Sequence, residues 1–159
     1  MRAGLVLSAA IVVAGSLSAE AAGTACQPLR LTGGDKGVTV VDNPPAGKSP
    51  GDTRAGWRRL VDEAGAPAGE VHYVAPLTEP AANGRGDVLA GQYFITFPDG
   101  LVVASTLYEL GDAANTGKGA GNAVLVVTGG TGAYAGASGA VTIEAGDPPH
   151  YAFALACRQ

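Results

Sequence analysis

The chain has few charged residues, few aromatic residues and no long apolar run beyond its N-terminal region. Charged side chains make up 15% of the 159 residues and aromatic ones 6%, and the formal net charge is −4. A nucleic-acid-binding protein needs a basic stripe to match the phosphates, so this composition argues against a nucleic-acid partner. A membrane-spanning helix needs roughly 20 apolar residues, so we expect no membrane segment after residue 21.

Several motifs of enzyme chemistry are also missing. No G-x-S-x-G sequence presents a serine nucleophile. The two histidines, His72 and His150, have no cysteine or acidic cluster around them at metal-ligand spacing. Residues 125–134 have glycines spaced like a dinucleotide-binding fingerprint, but Gly136 and Gly139 interrupt the helix that such a motif requires. The sequence therefore predicts no metal and no other cofactor.

The N-terminal region has the features of an export signal. Arg2 supplies a positive start, Leu5 to Leu17 is apolar apart from small residues, and Ala19-Glu20-Ala21 is a small-x-small cleavage site. An uncleaved membrane anchor is the alternative. We expect residues 1–21 to be a signal peptide and residues 22–159 to form one domain. The mature protein is then secreted or periplasmic.

Only two cysteines are present, Cys26 shortly after the signal and Cys157 near the end of the chain. An even pair in an oxidising compartment indicates a disulfide. Such a bridge restricts the unfolded chain by about 4 to 5 kcal/mol in the loop-entropy model. Lipidation of Cys26 is an alternative, although the preceding Gly23-Thr24-Ala25 lacks the leucine of lipidation motifs, and two free thiols are another.

Short runs rich in valine, isoleucine, threonine and aromatic residues alternate with turn formers, which is typical of an antiparallel β protein. Pro98-Asp99-Gly100 predicts a tight hairpin turn. Because eight short strands leave exposed edges unless the sheet closes, we predict an all-β fold, a closed eight-stranded antiparallel β-barrel, with a sandwich as the alternative. The predicted strands lie near Val38–Asp42, Arg54–Asp62, Glu70–Leu77, Leu89–Phe97, Leu101–Leu110, Ala123–Thr128, Ala140–Ala145 and His150–Cys157.

The last predicted strand separates small side chains from large ones. One face carries Ala152, Ala154 and Ala156, and the other carries Tyr151, Phe153, Leu155 and Cys157. We expect the alanines to face the interior, which leaves an internal space, and the large side chains to be covered by another subunit. The opposite orientation would fill the barrel. Trp57 is expected in the core.

The stretch Val127-Thr128-Gly129-Gly130-Thr131-Gly132-Ala133-Tyr134-Ala135-Gly136-Ala137-Ser138-Gly139 resembles the glycine-rich signature of allene oxide cyclases and dirigent proteins. Residues 92–103 are similar to the paired central strands of that superfamily, and the resemblance covers the chain from about Val38 to its end. It implies a barrel with a largely apolar internal pocket, commonly assembled as a trimer. Allene oxide cyclases isomerise a fatty-acid epoxide without a cofactor, and dirigent proteins steer coupling or cyclisation of phenolic intermediates.

The resemblance therefore implies a partner and two functions. The partner is a small apolar molecule held in the barrel. The protein is either a cofactor-free isomerase or cyclase, or, alternatively, a non-catalytic extracellular carrier or binder. A stable exported domain with a filled core and surface contacts alone is a third possibility.

The resemblance also indicates site residues near the end of the first strand. The cyclases place a Ser-Pro pair six residues after an asparagine, and Asn43, Ser49 and Pro50 fit this spacing. The cyclases also have a glutamate two residues before that asparagine, but Val41 occupies the position here. Since that carboxylate would help to open an epoxide, its absence argues against allene oxide cyclase activity itself.

Two further residues complete the predicted site. Asp42 resembles the aspartate that dirigent proteins carry near the end of the first strand, where a buried carboxylate could act as a general acid. Its alternative role is to cap the turn that follows. Tyr108 lies where the cyclases have a tyrosine, and its hydroxyl could bind a ligand oxygen, with plain packing as the alternative. We predict Asp42, Asn43 and Tyr108 as catalytic residues and Ser49 and Pro50 as ligand contacts.

Overall fold

The computed structural model describes residues 26–82, 85–110 and 122–157, and the predicted signal peptide lies outside these residues. Eight strands close into a barrel in chain order, each antiparallel to its neighbours. This confirms the predicted fold class. No helix in the described part of the chain is long and apolar enough to cross a membrane. The strands are β1 Leu29–Val41, β2 Thr53–Val61, β3 Pro67–Glu79, β4 Asp87–Phe97, β5 Gly100–Leu110, β6 Ala123–Gly132, β7 Ser138–Glu144 and β8 His150–Ala156.

Strand β1 departs most from the sequence prediction, because it begins at Leu29 rather than near Val38. The sequence did not predict the first part of this strand, because glycine is depleted in strands and the part contains Gly33, Gly34 and Gly37. A β-bulge lies between Gly33 and Lys36, where the pairing with β2 shifts by one residue. The strand therefore bends at the bulge and continues its pairing with β2 on the other side.

One end of the barrel is closed by turns and aromatic rings. The predicted hairpin at residues 98–99 is confirmed, with Phe97 paired to Gly100 across it. The glycine-rich stretch forms the end of β6, a turn at residues 133–136 and the start of β7. Tyr134 from this turn is 4% exposed, and its ring centroid lies 5.1 Å from that of Phe97. We call this the closed end.

The expected orientation of β8 is wrong. Tyr151 and Phe153 point into the barrel and are 5% and 3% exposed, whereas Ala154 and Ala156 lie exposed on the outside. Phe153 packs edge-on against Phe97 at a centroid distance of 5.5 Å. Burying a ring removes more apolar surface from water than burying a methyl group, so the interior takes the larger side chains.

The interior next to the closed end is therefore a packed core rather than an internal space. Its side chains come from all eight strands and are almost completely shielded from solvent. The fully buried ones are Leu31, Leu60, Val71, Ile95, Val102, Leu125 and Val141, and the rings of Tyr151 and Phe153 pack among them. Leu89 belongs to a second, smaller cluster with Ala75 and Leu77 toward the other end.

Trp57 does not belong to this core. Alternation along β2 places Leu60 inside, at 0% exposure, and turns Trp57 to the outer wall. The Arg59 guanidinium lies 5.9 Å from the centre of its ring, which makes a cation–π contact. The indole also covers Gly37 on the neighbouring strand.

The disulfide between Cys26 and Cys157 is confirmed, with a sequence separation of 131 and 5.8 Å between the two Cα atoms. Cys26 precedes β1 and Cys157 follows β8. These two strands close the barrel through only four residue pairs, from Leu29↔Phe153 to Thr32↔His150, compared with eleven between β4 and β5. The disulfide therefore reinforces the shortest ladder of the barrel.

The orientation of β8 leads to a stability prediction. Phe153→Ala should lower the free energy of unfolding by about 3–5 kcal/mol, because it leaves a cavity among packed side chains. Ala154→Val on the outer face is the matched control and should change it by less than about 0.5 kcal/mol. Urea denaturation under oxidising conditions measures both. A larger loss for Ala154→Val would contradict the assigned orientation.

Candidate functional site

Among the described residues, the end opposite the closed end is open on one side. The β1–β8 ladder stops at Thr32, and from Lys36 to Val41 strand β1 pairs with β2 alone. Val38 and Val40 lie on the inner face, opposite Gly56 and Arg54 of β2, yet they are 45% and 62% exposed. We call this end, with the inner face of β1 to β5 beside it, the mouth.

Four of the five tyrosines meet inside the barrel below the mouth: Tyr73, Tyr93, Tyr108 and Tyr151. Tyr73 and Tyr93 are paired across β3 and β4, and their rings stack with centroids 5.7 Å apart. The Tyr108 side chain lies close enough to Tyr93 to contribute to the raised pKa of Tyr93. Tyr93 and Tyr151 are buried, whereas Tyr73 and Tyr108 are half-buried. The cluster is thus graded, with two rings at the base and two toward the mouth.

Two glycines on the inner face make room for these rings. A Cβ on Gly56 of β2 would lie 2.7 Å from the Tyr73 hydroxyl oxygen, and one on Gly91 of β4 would lie 3.2 Å from the Tyr108 ring. Both distances are too short for a side chain to be tolerated without movement. Glycine at these positions therefore positions the tyrosines.

Two arginines share the inner face with the tyrosines. Arg58 is opposite Val71, which is 1% exposed, and Arg54 is opposite Ala75, which is 0% exposed. Both arginines are half-buried. The Arg58 Nη1 donates a hydrogen bond of 3.1 Å to the Gly34 carbonyl.

The electrostatics keep these side chains as hydrogen-bond donors. Burial raises the pKa of Tyr73, while the charges of Arg54 and Arg58 oppose part of that rise. Burial also raises the pKa of Tyr93, and the neighbouring Tyr108 adds to it. At neutral pH the hydroxyls are protonated and the guanidiniums positive, so the cluster can donate several hydrogen bonds to one acceptor.

The predicted site residues lie in the β1–β2 loop at the rim of the mouth. Asp42 is exposed, and its Oδ2 accepts a hydrogen bond of 3.2 Å from the Gly47 amide, as the turn-capping alternative requires. Asn43 and Pro50 are also exposed, and the Asn43 Nδ2 donates to the Gly51 carbonyl at 2.8 Å. Their predicted contact with a ligand remains a prediction.

This loop is organised by Asp52, which the sequence analysis did not select. The Asp52 carboxylate is buried and accepts the backbone amides of Asn43 and Ser49, each at 2.9 Å. These hydrogen bonds lower the pKa of Asp52, and the one from Ser49 has the larger effect. Ser49 is also buried, and its hydroxyl donates a hydrogen bond to the Asn43 carbonyl across the loop. The Leu77 amide of β3 donates to the Asp52 carbonyl at 2.7 Å, which attaches the loop to the barrel.

The structure brings one predicted residue, Tyr108, into the cluster and places the other four at the rim of the same end. Sequence reasoning missed three tyrosines and both arginines. The alternation of inward and outward side chains along β2 could have predicted that both arginines face inward. Arg54 and Arg58 lie six and two residues before the buried Leu60 and therefore share its face. Among the described residues, no group of three or more histidine, cysteine, aspartate or glutamate side chains could hold a metal ion.

No family model matches the chain, and no curated protein matches it. Solved structures do. The chain is 19% identical to pyocyanin demethylase, with a TM-score of 0.68 over 82% of this chain and 100% of that one. It is 18% identical to a nonspecific heme-binding cyclase that catalyses a 4+2 cycloaddition in neoabyssomicin biosynthesis, with a TM-score of 0.60 over 82% of this chain and 65% of that one.

The Diels-Alderase AbmU from Streptomyces koyangensis gives the same identity of 18% and TM-score of 0.60, over 82% of this chain and 64% of that one. At such low identity these likenesses show the fold alone. The chain thus shares its barrel with proteins named as cyclases and a demethylase. Membership of the allene oxide cyclase or dirigent families remains a prediction.

The rim loop leads to a pH-dependent prediction. The folded pKa of Asp52 lies below its usual value of 3.8, so its stabilising effect is complete above that value and is lost as the pH falls through the folded pKa. Asp52→Asn should lower the melting temperature most near neutral pH, and the difference from wild type should shrink below pH 3.8. Thermal unfolding followed by circular dichroism measures it.

Asp42→Asn is the matched control, because it alters one hydrogen bond of an exposed carboxylate in the same loop. It should leave the melting temperature near that of the wild type. A difference for Asp52→Asn that stays constant from pH 7 to pH 2 would show that the carboxylate charge does not organise the loop.

Proposed function

We propose that this protein is an exported barrel that binds a small, mostly apolar molecule at its mouth and acts on it as a cofactor-free isomerase or cyclase. The observation that supports this is the convergence of four tyrosines and two arginines at the open end of an otherwise packed barrel. Polar side chains that converge where apolar ones would fill the barrel favour a function over a structural role.

The mouth offers both kinds of contact that such a ligand needs. Val38 and Val40 present exposed apolar surface on the inner face. The half-buried Tyr73 and Tyr108 present ring faces and hydroxyl donors beside them. The two valines would contact the apolar part of a ligand, and the tyrosine hydroxyls would donate hydrogen bonds to one of its oxygen atoms.

The chemistry follows from what these groups can do without a nucleophile. Holding a flexible molecule in one reactive conformation lowers a barrier by reducing the entropy still to be lost. Hydrogen-bond donors fixed around an oxygen stabilise the negative charge that develops there during ring closure or isomerisation. The Tyr73 and Tyr108 hydroxyls and the Arg54 guanidinium are the donors that we propose for this role.

The barrel neighbours support a cyclase-like role, because two of them are named for cycloaddition chemistry. A shared fold does not by itself transfer an activity. Carriage of the same kind of molecule without turnover is the second candidate, since the cluster would hold a ligand in either case. Export is supported by the disulfide between Cys26 and Cys157, because such bonds persist in oxidising compartments.

Binding at the mouth predicts a specific pattern of tyrosine variants. With 1-naphthol as the probe, Tyr73→Phe and Tyr108→Phe should each weaken binding about fivefold, because each removes one hydrogen-bond donor of about 1 kcal/mol. Tyr134→Phe at the closed end is the matched control and should bind as the wild type does. Isothermal titration calorimetry of the four proteins measures these affinities, and equal losses at all three positions would place the ligand elsewhere.

Native mass spectrometry of the exported protein separates enzyme from carrier. Any molecule retained is extracted and incubated with fresh protein, and chromatography then shows whether an isomer of equal mass forms. Formation of an isomer supports catalysis, and recovery of unchanged ligand supports carriage. Asp42→Asn tests the predicted acid in the same assay, because unchanged turnover would exclude that role.

We also propose that the protein forms a homo-oligomer, a trimer by resemblance, through its outer wall. Large apolar side chains are exposed there on adjacent strands, and a soluble monomer rarely presents such a group together. They include Val74 at 44%, Phe94 at 39%, Leu107 at 68% and Val126 at 59%.

Leu107→Glu should therefore shift the assembly toward monomers, since it places a charge in the centre of the proposed interface. Native mass spectrometry at several protein concentrations measures the change. Glu109→Gln on the same face of β5 is the control and should keep the wild-type mass. A wild type that is monomeric at all concentrations would contradict the proposal.

A further inference from the structure

The inner face at the mouth is positively charged, although the whole chain has a net charge of −4. Lys36 of β1 is directly opposite Arg58 of β2, and Arg54 lies two pairs further along the same face. Like charges placed opposite each other on a sheet are destabilising. A negatively charged group between these side chains would offset the repulsion.

Such a group is missing from the protein itself. Each ion pair within residues 26–82, 85–110 and 122–157 uses another basic residue: Arg30, Lys48, Arg59 or Arg85, with His72 near Glu70 as a further pair when its imidazole is protonated. In that part of the chain, no carboxylate lies within ion-pair distance of Arg54, Arg58 or Lys36.

The acidic residue that comes nearest to this role is Asp87, at the rim on the inner face of β4, opposite Leu110. Its Oδ2 accepts a hydrogen bond of 2.7 Å from Lys48, and its Oδ1 accepts one of 2.9 Å from the Ala81 amide. Both carboxylate oxygens are therefore already bound to other groups. The charge of Arg54 helps to lower the pKa of Asp87, but the two side chains do not form an ion pair.

The surroundings of the arginines favour an anion that also has an apolar body. Apart from Lys36 and Asp87, the neighbouring inner-face groups are neutral: the tyrosine hydroxyls, the Tyr73 ring over Gly56, and the exposed Val38 and Val40. Arg58 uses one donor on the Gly34 carbonyl, and a guanidinium has five. A carboxylate or sulfonate, which offers two or three oxygens, matches the remaining donors of the fork.

We propose that the molecule bound at the mouth is an organic anion, an aromatic or otherwise unsaturated acid whose charged group is held by Arg54 and Arg58. This rests on the proposed function and names the class of its ligand. The tyrosine rings and the two valines contact the apolar body. Neutral analogues of equal size are bound less tightly, and organic cations are excluded.

A pair of fluorescent probes tests the role of the charge. 8-Anilino-1-naphthalenesulfonate is an anion, and N-phenyl-1-naphthylamine has the same ring system without the sulfonate. The wild type should bind the anion at least about tenfold more tightly, the ratio expected for one charge-assisted hydrogen-bonded pair. This preference should decrease as the salt concentration rises.

Arg54→Gln and Arg58→Gln should each remove most of that preference by weakening binding of the sulfonate and not of the neutral probe. Arg59→Gln is the matched control, because Arg59 lies on the same strand but faces outward toward Asp35 at 3.6 Å. Its preference should equal that of the wild type. Circular dichroism confirms that each variant is folded, and Arg54→Gln decides the outcome if loss of the Gly34 contact unfolds Arg58→Gln.

The outcomes separate the two proposals. Equal affinity for both probes, or a preference that survives in Arg54→Gln, overturns the anion assignment and leaves small-molecule binding in place. Failure of the folded wild type to bind either probe overturns the proposed function as well. Loss of sulfonate binding in Leu107→Ser but not in Arg54→Gln would place the probe on the outer wall and would also overturn the assignment.

Discussion

The seam between β1 and β8 is the constraint on which the rest of the structure depends. A barrel has no exposed edges only if its first and last strands pair, and here four residue pairs achieve this. The seam is short because β1 bulges after Gly33 and then follows β2 instead of β8. The same bulge therefore closes the barrel at one end and opens it at the other. The disulfide beside the seam limits the separation of the two strands when the four pairs open.

The closed barrel then fixes which side chains lie inside. Since alternate residues of each strand face opposite sides, buried Leu60 sets the orientation of Arg58 and Arg54. The same rule, applied to β3, turns Tyr73 inward because Val71 and Ala75 are buried. The polar cluster is thus held by the same backbone pairing that holds the core. Its groups are positioned by the fold alone, which would reduce the entropy cost of binding the proposed ligand.

Much of the architecture could be predicted from the sequence. Strand composition and turn chemistry gave the strand count, the hairpin at Pro98-Asp99-Gly100 and the closure of the sheet, since these depend on local preferences. The disulfide followed from cysteine count and an expected export signal. The orientation of β8 was predicted wrongly, because period-two alternation separates two faces but does not say which of them is inside. The first half of β1 was missed, because its glycines are required by contacts such as the one with Trp57, which only the folded structure shows.

The site was less predictable for a different physical reason. Tyr73, Tyr93, Tyr108 and Tyr151 come from four strands, and their meeting depends on the registers of several ladders at once. The spacing that indicated Asn43 and Ser49 selected a loop at the rim of the mouth, and their contact with a ligand stays a prediction. The hydrogen bonds that organise this loop converge on the Asp52 carboxylate, which no spacing pointed to.

The division between a packed end and a polar mouth explains how a small barrel can contain costly groups and remain stable. The core around Ile95, Val102 and Leu125 is fully shielded and has no charged side chain to compensate. Placing Arg54 and Arg58 half-exposed at the mouth keeps part of their hydration, so the cost of burying them is reduced. The proposed ligand would replace that remaining water with its own oxygens. Incomplete burial of the arginines in the protein alone is thus what would allow them to bind the proposed anion.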